Sequence, residues 1–206
     1  MAFDPWLAAE KFVSSDPQAR REGLAILAGH LDLLFSPLVG FLLVCRIDEP
    51  DLTLRKQIAC ALARCFEKDD SLYLAPKETR DNLSVLLRRA GRMQVERFLE
   101  VLGDGAEPGV AEAVVRLLDR IPDASILLTK IAADRLAPFA TRFAAIVAVG
   151  ELGAVGALPA LAGLKTRIEG QLAGQIAMTF APPSSPEEEK LIEALKTTIA
   201  RLREDG

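Results

Sequence analysis

Histidine, tryptophan and tyrosine each occur once in this 206-residue chain and cysteine three times, and each shortage closes off a class of chemistry. The lone histidine, His30, has no second histidine with which to hold a metal, and no motif supplies it with a nucleophile for a Ser-His-Asp or Cys-His arrangement. Its position at the end of a helical pattern suits a residue that helps satisfy C-terminal carbonyls. Cys45, Cys60 and Cys65 contain no C-x-x-C, are odd in number and lie in apolar helical patterns. They read as small buried hydrophobes in a reducing compartment, and neither a disulfide framework nor a metal site is expected. The longest apolar runs, such as Leu38 to Cys45 and Phe143 to Gly150, fall far short of the roughly 20 residues of a membrane-spanning helix. Met1 to Leu7 lacks a basic region followed by a long apolar stretch, so no secretory signal is readable and a cytoplasmic protein is expected. A net charge of −4 and a pI near 5.2 argue against a general affinity for nucleic acid or anionic membranes.

What the chain has in quantity is leucine and alanine, 32 and 31 residues, a balance that suits closely packed helices and offers little to strands. The stretch Ala140 to Leu161 shows the unit from which such a chain is built. Phe143, Ile146, Val147 and Gly150 follow the i, i+3, i+4, i+7 spacing of one helical face. Gly153 can take the positive φ that a helix end commonly needs, and Pro159 fits the first turn of the next helix. A helical hairpin of this kind cannot bury its apolar faces alone and implies stacked neighbours. The arrangement Arg142, Ala145, Gly150, Gly153, Ala157, Pro159, Leu161 resembles a HEAT-like repeat of the short bacterial type also found in phycobilisome lyases. The resemblance implies an all-α fold: an α-solenoid of stacked antiparallel helical hairpins, HEAT/armadillo-like.

Proline punctuation extends the repeat along the chain. Pro17 and Pro37 follow the N-cap types Asp16 and Ser36, and Pro50, Pro76, Pro108 and Pro138 each precede a helical pattern. An arginine follows four or five residues later in the pairs Pro17/Arg21, Pro50/Arg55, Pro76/Arg80 and Pro138/Arg142, with Glu112 in that place after Pro108. The intervals between marked positions, 34, 25, 32 and 30 residues, describe a degenerate array. Gly29, Ala63 and Gly150 lie eight residues beyond three of the arginines, where a small residue would let two helices approach closely.

The patterns predict helices over 4–14, 17–30, 37–47, 51–67, 77–90, 93–103, 108–121, 124–134, 138–152, 156–180 with a break near Gly170 to Gly174, and 186–204. In domain terms, 1–181 forms the HEAT-like array, 182–186 a Pro/Ser linker and 187–206 a capping helix of the same domain. Ser185, Pro186 and Glu188 have capping-box spacing, and Leu191, Ile192, Leu195, Ile199 and Leu202 form one stripe on that last helix.

For function, the glycines at 150, 153 and 156 are no phosphate loop, since they join two helices and lack the Lys-Ser/Thr pair. No catalytic residue, cofactor or metal is expected. From Lys77 to Arg97 six basic residues face three acidic ones, a local charge of +3 in an acidic chain. Arg80, Arg88, Arg89, Arg92 and Arg97 are therefore the candidate partner-binding residues, because guanidinium groups pair bidentately with carboxylates and phosphates. The leading expectation is a non-enzymatic scaffold or adaptor that binds a partner peptide or helix on the concave face of the solenoid. The alternatives come from resemblance: a nucleic-acid-binding HEAT-like protein related to DNA alkylation-repair glycosylases, or a bilin-lyase-like subunit, since the repeat's namesakes attach or detach bilins, often as one half of a heterodimer. A protein partner is expected, nucleic acid and membrane are not, and the oligomeric state stays open.

Overall fold

A computed structural model describes residues 4–70, 72–103, 107–176 and 186–204. In chain order the helices are α1 (Pro5–Val13), α2 (Pro17–Gly29), α3 (Leu31–Leu34), α4 (Pro37–Cys45), α5 (Leu52–Arg64), α6 (Lys77–Leu87), α7 (Arg92–Leu102), α8 (Pro108–Leu118), α9 (Ala124–Ala133), α10 (Phe139–Glu151), α11 (Leu158–Ile176) and α12 (Pro186–Glu204). The fold class is all-α. Prolines and aspartates set many of the starts. α1, α2, α4, α8 and α12 each open on a proline, whose missing N–H would have had no helical partner. Asp4, Asp16 and Asp51 accept from the backbone N–H groups of the second and third residues of α1, α2 and α5. Ser36, expected to cap α4, makes no side-chain cap bond.

Every expected helix is present, and three details differ. α11 runs unbroken through Gly170 to Ile176, because Leu161, Leu164 and Ile168 anchor one face in the core and outweigh the roughly 1 kcal/mol cost of an interior glycine. Helix α3 and a two-stranded hairpin, β1 (Lys68–Asp69) with β2 (Leu72–Tyr73), were not expected. The hairpin turns through Asp70 at φ 43° and is fastened by Tyr73, whose ring lies 3.7 Å from the Arg80 guanidinium. The proposed linker, save Pro186, and Ser185 of the capping box lie outside the described residues.

The chain divides into two units, Met1–Pro122 and Asp123–Gly206. In the first, hairpins stack in two layers: α1, α4 and α6 pack in succession on one side, and α2, α5 and α8 on the other, with α7 against α5 and α8. This is the stacking of an α-solenoid. Phe12, Leu24, Leu27, Leu43, Leu54, Ile58, Leu62 and Leu99 fill the space between the layers. The second unit repeats the plan with α9 on α11 and α10 on α12. Since α10 is covered by both α9 and α12, its buried surface is broader than a single stripe, while Val147, expected on the buried face, is exposed. The α12 stripe Leu191, Ile192, Leu195, Ile199 and Leu202 is buried as expected.

Glycine placement needs one correction. A side chain on Gly29 would meet nothing, whereas a Cβ on Gly23 would come within 2.4 Å of the Phe12 backbone nitrogen and 2.7 Å of the Ala8 carbonyl oxygen. The tight contact of the α1/α2 hairpin is therefore at Gly23. At Gly150 a Cβ would lie 3.2 Å from the Thr198 methyl, so α10 and α12 do approach closely there. Gly153 takes φ +59° at the end of α10, as its position implied.

Three of the arginines that follow a proline also have a structural role. Arg55 donates from Nε to the Glu49 carbonyl at 2.7 Å, Arg80 to Ala75 at 3.2 Å and Arg142 to Ala132 at 3.1 Å. Each ties its helix to the chain preceding it. After Pro17 the tie is made by Arg20, whose Nη1 donates to the carbonyls of Ser14 and Ser15 at 3.2 and 2.8 Å. Arg21, the residue expected there, points instead to Asp51, with Nε at 3.1 Å. Arg20 further donates from Nε and Nη2 to both oxygens of Glu49 at 2.9 and 2.7 Å, a bidentate pair in which Glu49 is only 1% exposed.

The cysteines divide by environment. Cys65 is buried, and burial pushes its thiol up to about 12, whereas Cys45 is exposed, contrary to the expectation for all three. Iodoacetamide at pH 8 is expected to label Cys45 in the folded protein and Cys65 only after denaturation, read by mass spectrometry; early labelling of Cys65 would contradict this core.

Two stability tests follow. Gly23→Ala should destabilise by about 2 kcal/mol or more, because backbone atoms rather than a flexible side chain stand in its way, while Gly29→Ala should be neutral or stabilising. Equal thermal midpoints for the two variants would count against this packing. Glu49→Gln should cost about 3–5 kcal/mol by leaving the Arg20 charge buried without its carboxylate, and Arg20→Met combined with Glu49→Leu should recover most of the loss. Denaturant unfolding measures both, and a Glu49→Gln variant as stable as the parent would show the pair to be dispensable.

Candidate functional site

The five arginines singled out from the sequence divide by contact. Arg80 is half-buried, held by the Ala75 carbonyl and stacked on Tyr73. Arg92, the first residue of α7, donates from Nε to Glu96 at 2.7 Å, one helical turn on. Arg97 donates from Nη1 to both Glu100 oxygens at 2.8 and 3.0 Å and lies 3.8 Å from Asp48. Glu100 in turn accepts from the mostly buried Arg55, so Arg97 is one member of a network that links α5 and α7. Arg88 and Arg89 are exposed at the C-terminal end of α6, where positive charge is favoured by the helix dipole. Gly91 makes the turn between α6 and α7, and its N–H donates to the Gln94 side chain at 3.0 Å. Arg88, Arg89 and Arg92 thus sit around one helix-to-helix turn.

His30 lies between α2 and α3, and its carbonyl accepts from the N–H groups of Leu33 and Leu34. Among the described residues no group of three His, Cys, Asp or Glu side chains could hold a metal, and no helix is long and apolar enough to cross a membrane.

The surface with the clearest physical signature is on α4, Pro-Leu-Val-Gly-Phe-Leu-Leu-Val-Cys, nine residues without a polar side chain. Val39, Gly40 and Leu43 are buried. A Cβ on Gly40 would stand 2.9 Å from Leu83 of α6, so absence of a side chain is what seats this face. The opposite side is open: Leu38 is 45% and Phe41 48% exposed, Cys45 is exposed, and Leu42 is half-buried. These four stand at i, i+3, i+4 and i+7 and so share one face. Arg46, just past the helix, donates to the Val13 carbonyl at 2.7 Å, which holds its guanidinium at the end of α1. The sequence displayed Leu38 to Cys45 as an apolar run, but only the packing shows which side of it is covered.

Comparison with known proteins adds little. No protein-family model matches the chain, and no curated protein matches it. Among solved structures the chain is similar to the complex of CpcE and CpcF of phycocyanin lyase from Nostoc sp. PCC7120, at 16% sequence identity over 96% of each chain and with a TM-score of 0.26. A superposition that loose leaves both fold and function to be argued from the chain's own residues.

Proposed function

We propose that this protein is a non-enzymatic interaction module that receives an apolar helix or peptide of a partner protein on the open side of α4. Leu38, Phe41, Leu42 and Cys45 form the apolar contact, and Arg88 and Arg89, just past the end of the α6 helix that packs against α4, offer charge to acidic residues of that partner. The observation that carries the reading is a helix with no polar side chain and one open face. A helix apolar all round is ordinarily buried on all sides, and a contiguous exposed apolar strip marks an interaction site. Covering Leu38 and Phe41 fully would contribute about 1.5–3 kcal/mol per side chain, less the part already shielded.

The arginine contacts favour a protein over a nucleic acid. Arg80, Arg92 and Arg97 are engaged with the chain's own groups, so few cations of this segment are left for a row of phosphates.

The test combines capture with a surface variant. Tagged protein and its Phe41→Asp variant are exposed to lysate of the source organism with and without nuclease, and the captured protein is then purified and titrated against both. Phe41→Asp is expected to lower stability by about 1–1.5 kcal/mol, the share of the side chain already covered, while leaving the protein folded, and to weaken the partner at least tenfold. A partner held equally by both forms would sink the α4 reading. Capture abolished by nuclease would put nucleic acid in its place, and a bilin bound by the purified chain would favour the lyase-like alternative. Adding Arg88→Glu and Arg89→Glu then measures the electrostatic share as a change in salt dependence.

A further inference from the structure

We infer that the second unit carries an anion pocket for the phosphoryl group of a small phosphorylated molecule, formed by Arg135, Arg142 and Arg167. The three come from different elements: Arg135 from the turn between α9 and α10, Arg142 from the first turns of α10, Arg167 from the middle of α11. They line one cleft of about 170 Å³ together with Gln171 and Glu188. On α11, Leu164, Arg167, Ile168 and Gln171 stand at i, i+3, i+4 and i+7, so one face supplies both an apolar floor and two polar walls. Leu164 and Ile168 are buried, which fixes the helix on which Arg167 and Gln171 are mounted.

Arg142 is oriented by its own structural bond, Nε to the Ala132 carbonyl at 3.1 Å, and its terminal nitrogens have no hydrogen-bond partner among the described residues. Arg135 and Arg167 are exposed and make no ion pair among the described residues. Several other arginines of this protein are each matched by a carboxylate: Arg20 with Glu49, Arg55 with Glu100, Arg116 with Glu67. Here three guanidinium groups meet one lining carboxylate, Glu188. Burial draws the Arg142 guanidinium below its ordinary value, Arg135 and Arg167 push the same way, and Glu188 and Asp134 oppose them. Arginine remains charged throughout. Asp134 is occupied in the turn, accepting from the Leu136 N–H at 2.9 Å, and does not line the cleft.

The charge count selects the ligand class. Three guanidinium groups less one carboxylate leave a lining charge of +2, which matches the roughly −1.5 to −2 of a phosphate monoester at neutral pH. Planar guanidinium forks match phosphate oxygens bidentately, and the apolar floor lowers the local dielectric and strengthens each bond. The volume is close to that of a cavity of about 150 Å³, which holds a benzene-sized molecule, so a phosphoryl group on a short stem fits. The pocket is independent of the α4 surface, and either can fail without the other.

The test titrates the full-length protein with inorganic phosphate and with pyrophosphate by calorimetry, at ionic strength held constant with sodium chloride. One equivalent of phosphate per chain is expected. Arg135→Gln with Arg167→Gln, both exposed, should leave the ligand-free thermal midpoint unchanged and weaken phosphate at least tenfold. Glu188→Gln, which removes only the opposing charge, should tighten it at least threefold and serves also if the double variant misfolds. Absence of binding to the parent protein by either anion, equal affinity in the double variant, or no tightening in Glu188→Gln would each overturn the proposal.

Discussion

The first unit depends on a carboxylate that has no access to water. Glu49 ends the turn between α4 and α5, and burying its charge alone would cost several kcal/mol, so its surroundings are obliged to answer it. Arg20 reaches across from α2 with both oxygens in its fork, and the Asp51 N–H adds a bond at 3.3 Å. The carbonyl of the same residue takes Arg55, which continues to Glu100 of α7, and Glu100 takes Arg97. One buried charge thus sets the register of three successive hairpins. Apolar packing of leucines alone tolerates sliding; a bidentate pair in a dry interior does not.

Much of the architecture could be read from residues whose effect is local. Within a helix a proline is at home only in the first turn, an aspartate at the N-cap satisfies that turn, and a leucine-alanine periodicity has few alternatives to a packed helix. What escaped were outcomes that depend on a neighbour. Gly29 and Gly23 are alike in sequence, but only Gly23 faces the backbone of α1. Arg20 and Arg21 are adjacent, and the choice of which turns inward was decided by Glu49, more than two dozen positions away. The hairpin at Lys68 to Tyr73 is too short for periodicity to signal and owes its place to the stacking of Arg80 on Tyr73.

The candidate sites follow the same division. Arginines close together between Arg80 and Arg97 stood out, yet three of them are engaged with neighbouring groups of the chain. Arg135, Arg142 and Arg167 are spread over 32 positions and show no cluster in one dimension; stacking α9, α10 and α11 side by side creates it. The open face of α4 was present in the composition of the helix, but no sequence pattern distinguishes the covered side of an all-apolar segment from the bare one.

The arginine-to-carbonyl ties have a further consequence for how such a chain can change. Because the acceptor is a main-chain oxygen, which every residue supplies, no particular side chain must be kept opposite the arginine. Arg20, Arg55, Arg80 and Arg142 meet their carbonyls at separations of five or six, six, five and ten residues, Arg20 through Nη1 and the other three through Nε. A fastening that asks nothing of its partner's identity allows hairpins to be copied, lengthened or trimmed while each remains stapled, and uneven spacing is what a chain built with such staples is free to accumulate.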